Sequence, residues 1–521
     1  MASVIQQSHE IPLPEPAWEW KLVSGTRLVR ALRGAELVVK SSEHFCDGNA
    51  ELETALTCEQ LKRRHHAAWW RTRRILPVVG VSFPSLDQGS FDLHATPEDA
   101  KQWAAQSCLV ATNTTVSDVY LARSRQPSQA LTMTLVVDPI RGARGCVLNM
   151  SHTLIHNDIL RVVEEFIFQL ARPDTERGID AVFVPETVAN TITRLPQSLS
   201  NAYSLHHHQP AQQDLQHAFA IHQRAQDRWT RSSIGIPLHP NHTNRPSRIH
   251  NKTIAFEPTE ARAAFTFLKQ TGTTLTASFF ACMTSAIAHA FPSSPDDNNA
   301  PAGAHLLFSA NGHRYLPPSA RNGQGPIAMP ILPGGMWLDA RDTNLHPTTQ
   351  PGLLRLARAI EKAQNQDLTS PHIIAVFDQL APSMASAIAA AHTSREGPPP
   401  PPPIGRPTLT SQGRLDLDKA RHGSSPSSSS LNPPSEADAD AATAGSAAIR
   451  ITDFNSGGRT TDPTVCFALN SFRDELRFNL LFDERFFDQH DVVSLGFMVA
   501  RLFRRLIGVG VAAEGGRLAK L

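Results

Sequence analysis

The stretch between residues 131 and 171 constrains the fold most. Leu131, Met133 and Leu135 alternate with threonines, Asp138-Pro139 and Gly142 mark a turn, and Cys146, Leu148 and Met150 resume the alternation. A period of two places successive apolar side chains on one face of a strand, so the pattern predicts a hairpin running into the centre of a sheet. The second strand stops at Ser151-His152-Thr153-Leu154-Ile155-His156-Asn157-Asp158. Then Ile159, Leu160, Val163, Phe166, Ile167 and Leu170 take up a helical spacing that ends before Pro173, which predicts an amphipathic helix. Polar histidine chemistry therefore sits at a strand-to-helix junction, where a rigid scaffold presents a side chain to a cleft.

The chain is too long for one ordinary core, since 521 residues predict roughly two domains and their connections. Leu52, Leu56, Leu61, Ala67 and Trp70 suggest a helix from Glu51 to about Arg74 with Thr57 or Glu59 on its wet face. An N-terminal half spans residues 1–195, and a Gln-, His- and Pro-rich crossover with a weak helix near Asp214–Trp229 spans 196–250. The C-terminal half, 251–521, opens with a long small-residue helix over Thr273–Ala290. Strand-like runs follow at Leu306–Ala310, leading into Asn311-Gly312-His313-Arg314, and at Ile327–Leu338, with helical stretches across 352–392. Residues 395–447 carry an unbroken proline run, a serine run and an acidic-alanine stretch. Such a composition buries too little apolar surface to offset chain entropy, so the window reads as a disordered insert inside the second half. Order is expected again near Ile449, with a strand through Leu476, Phe478, Leu480 and Phe482 and a closing helix over Val492–Ile507.

Charge and cysteine content exclude several function classes. With 49 basic against 48 acidic residues the net charge is +1, so no long-range field draws the chain to nucleic acid or to an anionic membrane. Arg71, Arg73 and Arg74 read as the solvated side of a helix, ahead of a phosphate site. Six scattered cysteines form no CxxC pair, which points to a reducing compartment and away from a zinc site. His65–His66 project about 100° apart on a helix and make poor co-ligands, and the His206-His207-His208 run reads as a solvated loop. No metal site is expected. The N-terminus lacks a basic region followed by an apolar one, so no secretory signal is expected, nor is a membrane span. Ala519-Lys520-Leu521 is a conservative variant of the Ser-Lys-Leu address, so cytoplasmic or peroxisomal residence, with a peroxisomal import receptor as partner, is the expectation. A monomer is expected.

The common nucleophile and phosphate signatures, GxSxG, GxxxxGK[ST], GxGxxG after a strand and HExxH, are missing. What remains is a histidine at a strand end. A neutral imidazole there takes a proton from an alcohol as it attacks a thioester, with no covalent enzyme intermediate.

The order of elements, the histidine motif, the small-residue helix near residue 280 and the late Asp453-Phe454-Asn455-Ser456-Gly457 resemble the condensation/chloramphenicol-acetyltransferase-like (BAHD-type) superfamily. Length and the segment SFRDELRFNLLFDERFFD look most like fungal trichothecene 15-O-acetyltransferases and related secondary-metabolite acyltransferases. The resemblance implies an α/β (α+β) fold of two chloramphenicol-acetyltransferase-like halves, each a mixed sheet flanked by helices, with a channel between them. It implies O-acylation of a small hydroxylated acceptor, with acetyl-CoA or another acyl-CoA as co-substrate and no bound cofactor. The family's HxxxD places its base on His152 and its aspartate position on His156, a departure. His156 stays open between sharing the proton load, packing structurally and marking an altered enzyme. Asp158 stands either as a substitute aspartate or as the N-cap of the helix that follows. Asp453 and Gly457 are implied as distant support, in a loop that shapes the site without touching substrate, or as a simple glycine turn. Asn311 and Arg314 lie where relatives place polar residues near the acceptor channel, with Arg314 a partner for Asp158 by position. Two rivals remain: a catalytically impaired ligand-binding relative, suggested by the departure at His156, and an amide-forming condensation enzyme acting on a carrier-bound acyl chain, for which no fused carrier domain is seen.

Overall fold

The computed structural model describes residues 19–41, 45–123, 130–140, 144–153, 159–207, 210–229, 231–292, 301–316, 331–367, 370–393, 404–415, 449–459 and 462–509. Strands in chain order are β1 (Lys21–Ser24), β2 (Arg27–Ala31), β3 (Phe45–Thr54), β4 (Val81–Ser82), β5 (Gln88–Asp92), β6 (Cys108–Ala111), β7 (Thr132–Val137) and β8 (Arg144–Ser151). Then come β9 (Ile236–Pro237), β10 (Ile249–Phe256), β11 (Gly303–Asn311), β12 (Ile331–Asp339), β13 (Ile404–Leu415), β14 (Ile449–Arg459), β15 (Thr464–Phe472) and β16 (Glu475–Asp483). The first helices are α1 (Ala35–Ser41), α2 (Cys58–Ile75), α3 (Pro97–Ser107), α4 (Val116–Arg123), α5 (Ile159–Ala171), α6 (Ile179–Val182) and α7 (Val188–Thr191). They are followed by α8 (Leu199–His206), α9 (Gln212–Trp229), α10 (Pro258–Thr271), α11 (Leu275–Ala290), α12 (Gln350–Asp367), α13 (Ile373–Thr393) and α14 (Gln489–Leu506).

Two mixed sheets carry the molecule, as the two-half expectation requires. The N-terminal one runs β14-β3-β8-β7-β6, antiparallel except for the β6–β7 pair, and packs one face on α2 and α5. The C-terminal one runs β10-β16-β15-β13-β11-β12, with β9 on β13. Its core joins Phe279 of α11, Phe467 and Phe478 of the sheet and Phe503 of α14, all fully buried, with the Phe279 and Phe478 rings 4.8 Å apart. A small antiparallel sheet, β1-β2-β5-β4, flanks the first half.

Three expectations are corrected. The helix expected from Glu51 starts only at Cys58, because Glu51–Thr54 continue β3 with Leu52 buried between exposed Glu51 and Glu53. Thr57 and Glu59 are exposed, as expected of the wet face, and Thr57 is also the N-cap: its hydroxyl accepts from the Gln60 amide while the Gln60 side chain accepts from the Thr57 amide, a reciprocal cap. The expected disordered window 395–447 is divided, since Ile404–Leu415 form a strand inside the second sheet, parallel to both β11 and β15. Averaging over a proline- and serine-rich window conceals this apolar and β-branched run, in which Leu409 is 1% exposed. Residues 395–403 and 416–447 lie outside the described residues. Third, Arg73 is not solvated. It is 1% exposed, ion-paired with Glu186 at 3.0 Å and stacked over Phe91 and Trp103. The other sheet-forming and helical expectations for the hairpin, α11, β11, β12, β16 and α14 agree with the elements formed.

Crucially for the site, β14 belongs to the second half in sequence and to the first half in space. It leaves β13 in the C-terminal sheet and pairs with β3 at the edge of the N-terminal sheet. The crossover helices α8 and α9 pack on α13. Ile373–Ala390 of α13 is long and apolar enough by length and composition to cross a membrane. A third of that window is buried; its Asp378 is ion-paired to Arg33 at 2.6 Å, and the helix rests on α1, α8 and α9.

Candidate active site

The hairpin β7–β8 builds the base of the site. Cys146, Leu148 and Met150 point into the core under α2 and α5, and Val147, Asn149 and Ser151 point to the opposite face of the sheet. His152 is the first residue past the strand. Ser151 and Thr153 on either side are buried, and the Ser151 hydroxyl donates to Thr153 Oγ1 at 3.0 Å while accepting from the Thr153 amide. Two interlocked hydroxyls thus fix the turn, and the residue between them in sequence, His152, is half-buried. His156 and Asp158 fall within 154–158, outside the described residues, and so does the Ala519-Lys520-Leu521 terminus.

Register brings the late motif to the same sheet. Arg459 of β14 pairs with Phe45, which pairs with Ser151, so the end of β14 and the residue before His152 share one cross-strand row. Two rows inward, Gly457 opposes Asp47 and Asp47 opposes Asn149. Asn149 donates its side-chain amide to the buried Asp47 carboxylate. Gly457 is no turn. It is a strand residue with no room for a side chain: a Cβ there would stand 1.9 Å from the Tyr120 hydroxyl of α4 and 3.0 Å from Asn251 Nδ2 of β10. The Asn251 amide donates to that hydroxyl at 2.8 Å, so helix, swapped strand and second sheet meet at one point.

Asp453, expected in a loop with Gly457, also lies in β14, toward its other end. Its carboxylate pairs with Arg477 of β16 at 2.7 Å, and Arg477 further donates to the Phe454 carbonyl and to Asn470 Oδ1. Between the two ends, Asn479 donates to Asn455 Oδ1 at 2.6 Å and to the Ser456 carbonyl at 2.8 Å. Thr253 donates to Asn479 Oδ1 at 2.8 Å, and Asn455 donates back to Thr253. A closed polar network therefore bolts β14 to β10 and β16. Sequence reasoning missed Tyr120, Asn251, Thr253, Arg477 and Asn479; the available signal was that the positions of β16 between its apolar residues include Arg477 and Asn479, both buried.

Asn311 and Arg314 stand elsewhere. Asn311 closes β11 and its side chain accepts from the His313 amide, capping a short 3₁₀ turn over Gly312–Tyr315. Arg314 is exposed, its guanidinium 5.5 Å from the Tyr315 ring. Because β11 is four strands from β10, about 19 Å at ordinary strand spacing, this turn is apart from the Tyr120–Gly457–Asn251 meeting point. The histidine run is not a plain solvated loop: His206 ends α8 and the His207 ring stacks on Tyr203 at 4.7 Å.

Among the described residues no group of three or more His, Cys, Asp or Glu gathers as a metal site. Burial holds the Cys146 thiol protonated, pushed up to about 12, which leaves it inert at neutral pH.

No family model matches the chain. It is 28% identical, over 90% of its length and 93% of the relative's, to the acyl-CoA-dependent acyltransferase MAC2 of Pseudozyma antarctica (strain T-34). The chain is thus similar along nearly its whole length to a protein named as an acyl-CoA-dependent acyltransferase, and it has the condensation/chloramphenicol-acetyltransferase-like fold. Its fold matches the TRI3 trichothecene 15-O-acetyltransferase from Fusarium sporotrichioides with a TM-score of 0.72 at 15% identity, covering 95% of this chain and all of that one. The first condensation domain of the calcium-dependent antibiotic synthetase matches with a TM-score of 0.54 at 11% identity, over 92% of this chain and 96% of that domain. These two likenesses concern the fold alone.

Proposed function

We propose that this protein moves an acetyl or other acyl group from coenzyme A to a hydroxyl of a fungal secondary metabolite of terpenoid or polyketide type, with His152 as general base. The imidazole accepts the hydroxyl proton as the oxygen attacks the thioester carbonyl. The C–O bond forms, the C–S bond breaks, and the departing thiolate recovers the proton from the imidazolium. Proton transfer of this kind contributes roughly 10²- to 10⁴-fold, with the remainder from positioning and oxyanion stabilisation.

The observation that carries this reading is likeness across nearly the whole chain to a protein named as an acyl-CoA-dependent acyltransferase. It is supported by the position of His152, presented half-buried at the end of the central hairpin. The network around β14 supports a positioning role for Gly457 and Asp453, since it sets the second sheet against the strand row that ends beside His152. Asn311 and Arg314 are proposed on the acceptor side.

The test is release of free CoA thiol from acetyl-CoA and longer acyl-CoAs with a panel of hydroxylated terpenoids and polyketides. Wild type is expected to turn over, His152→Ala to lose turnover, and His156→Ala to separate the two imidazoles. Full activity in His152→Ala, or no thiol release with any hydroxylated acceptor, rejects the reading.

A further inference from the structure

The end of α2 forms an open cleft with the segment around α7, lined by Arg73, Arg74, Pro77, Pro185, Glu186, Asn190 and Arg194, with a cavity volume of about 40 Å³. Three arginines and one carboxylate face it. The carboxylate is already committed. Glu186 Oε1 accepts from Arg73 Nε at 3.0 Å, and its Oε2 accepts from Arg73 Nη2 and from the His94 amide, both at 3.0 Å. Arg71, the next cation on α2, is likewise paired, with Asp174 at 2.6 Å.

Arg74 and Arg194 are left over. Neither guanidinium donates a hydrogen bond or closes an ion pair to a described residue. Both are half-buried against the two prolines. Burial first, and then the Arg74 charge, holds the Arg194 guanidinium below its usual value, so the two cations repel each other in a partly dehydrated setting. The negative end of the α2 dipole offsets about half a charge, less than two guanidiniums carry. A fold that packs two unpaired guanidiniums beside a third, with a neutralised carboxylate, is matched by a compact dianion. Planar N–H forks engage phosphate oxygens in pairs, which a chloride ion does not reproduce.

We propose that Arg74 and Arg194 form an anion site for a phosphate group, outside the acyl-transfer centre. The cleft's volume suits a phosphate monoester head or free phosphate better than a whole nucleotide. The phosphate comes either from the 3′-phosphate of the donor or from a separate phosphate-bearing metabolite, and the chemistry of recognition is the same.

The experiment compares melting temperatures of the full-length protein in sodium phosphate and in sodium chloride of equal ionic strength. Wild type is expected to gain about 1–3 °C at a tenfold excess over the dissociation constant. The double variant Arg74→Gln/Arg194→Gln is expected to lose that gain while melting in chloride at or above wild type, because it removes a repulsion. Arg194→Lys keeps the charge, loses the fork and is expected to retain only part of the response. No phosphate response in wild type, or an undiminished one in the double variant, overturns the proposal. None of these readings depends on acyl transfer. In a second arm, a KM penalty for 3′-dephospho-CoA in wild type that vanishes in the double variant assigns the phosphate to the donor. Equal KM values with the thermal response intact assign it to a separate ligand.

Discussion

The hydroxyl of Tyr120 occupies the place where any side chain on Gly457 would begin, 1.9 Å from the Cβ position. Tyr120 is on the first half's α4 and Gly457 on the swapped strand β14, and Asn251 of the second sheet completes the contact. Gly457 is thus fixed by a close approach and not by backbone conformation.

Gly457→Ala is therefore expected to displace the phenol and break its bond to Asn251. Overpacking and one lost buried hydrogen bond together cost about 2–4 kcal/mol, read as a fall in the urea midpoint. Removing the oxygen relieves the clash, so Gly457→Ala/Tyr120→Phe is expected to recover much of the loss. A double variant no more stable than the single one contradicts this account.

His152→Ala is expected to lower kcat by roughly 10²- to 10⁴-fold, the range of a positioned general base. The Ser151–Thr153 hydroxyl pair holds the turn without the imidazole, so stability is expected to change by less than about 1 kcal/mol. Circular dichroism melts beside the kinetics distinguish a missing base from a collapsed turn.

The legible parts of the sequence were those where one period rules locally. The 131–171 hairpin and helix declared themselves because Met133, Leu135, Cys146, Leu148 and Met150 all face one core. The motif 453–457 was found in its position but read as a loop, because pairing with β3 brings together residues 400 positions apart, which no local pattern encodes. Arg73 was misread for a related reason. A helix-surface arginine and a buried one differ only in their partner, and Glu186 lies 113 positions away. β13 was lost to averaging over its proline- and serine-rich flanks.

That last misreading gives a sharp test. Leu409 sits between two strands, pairing with Phe308 on one side and Phe467 on the other. Proline there removes a ladder hydrogen bond and the buried leucine, costing about 3 kcal/mol or more. Leu409→Pro is expected to leave little soluble protein or to lower the urea midpoint sharply. An unchanged midpoint would return the segment to the disordered reading.

Arg406, three residues earlier on the same strand, donates to Nδ1 of the buried His305 at 2.8 Å. Burial, and then the Arg406 charge, lowers the His305 imidazole to about 3, so it stays neutral in the folded protein across the mildly acidic range. The unfolded chain protonates the same histidine near pH 6.5. Below that value the unfolded state binds the extra proton and stability is lost as pH falls, continuing down toward pH 3. Between pH 7 and pH 5 this histidine accounts for about 2 kcal/mol, and His65 and His94, each lowered to about 4 chiefly by burial, add losses of the same sign. His305→Asn keeps an acceptor for Arg406 and removes the titration. Its unfolding free energy is expected to fall by about 2 kcal/mol less than that of wild type over the same pH interval. Equal slopes in the two proteins would mean that His305 is protonated in the fold, in contact with a guanidinium, and that the Arg406 hydrogen bond is wrongly assigned.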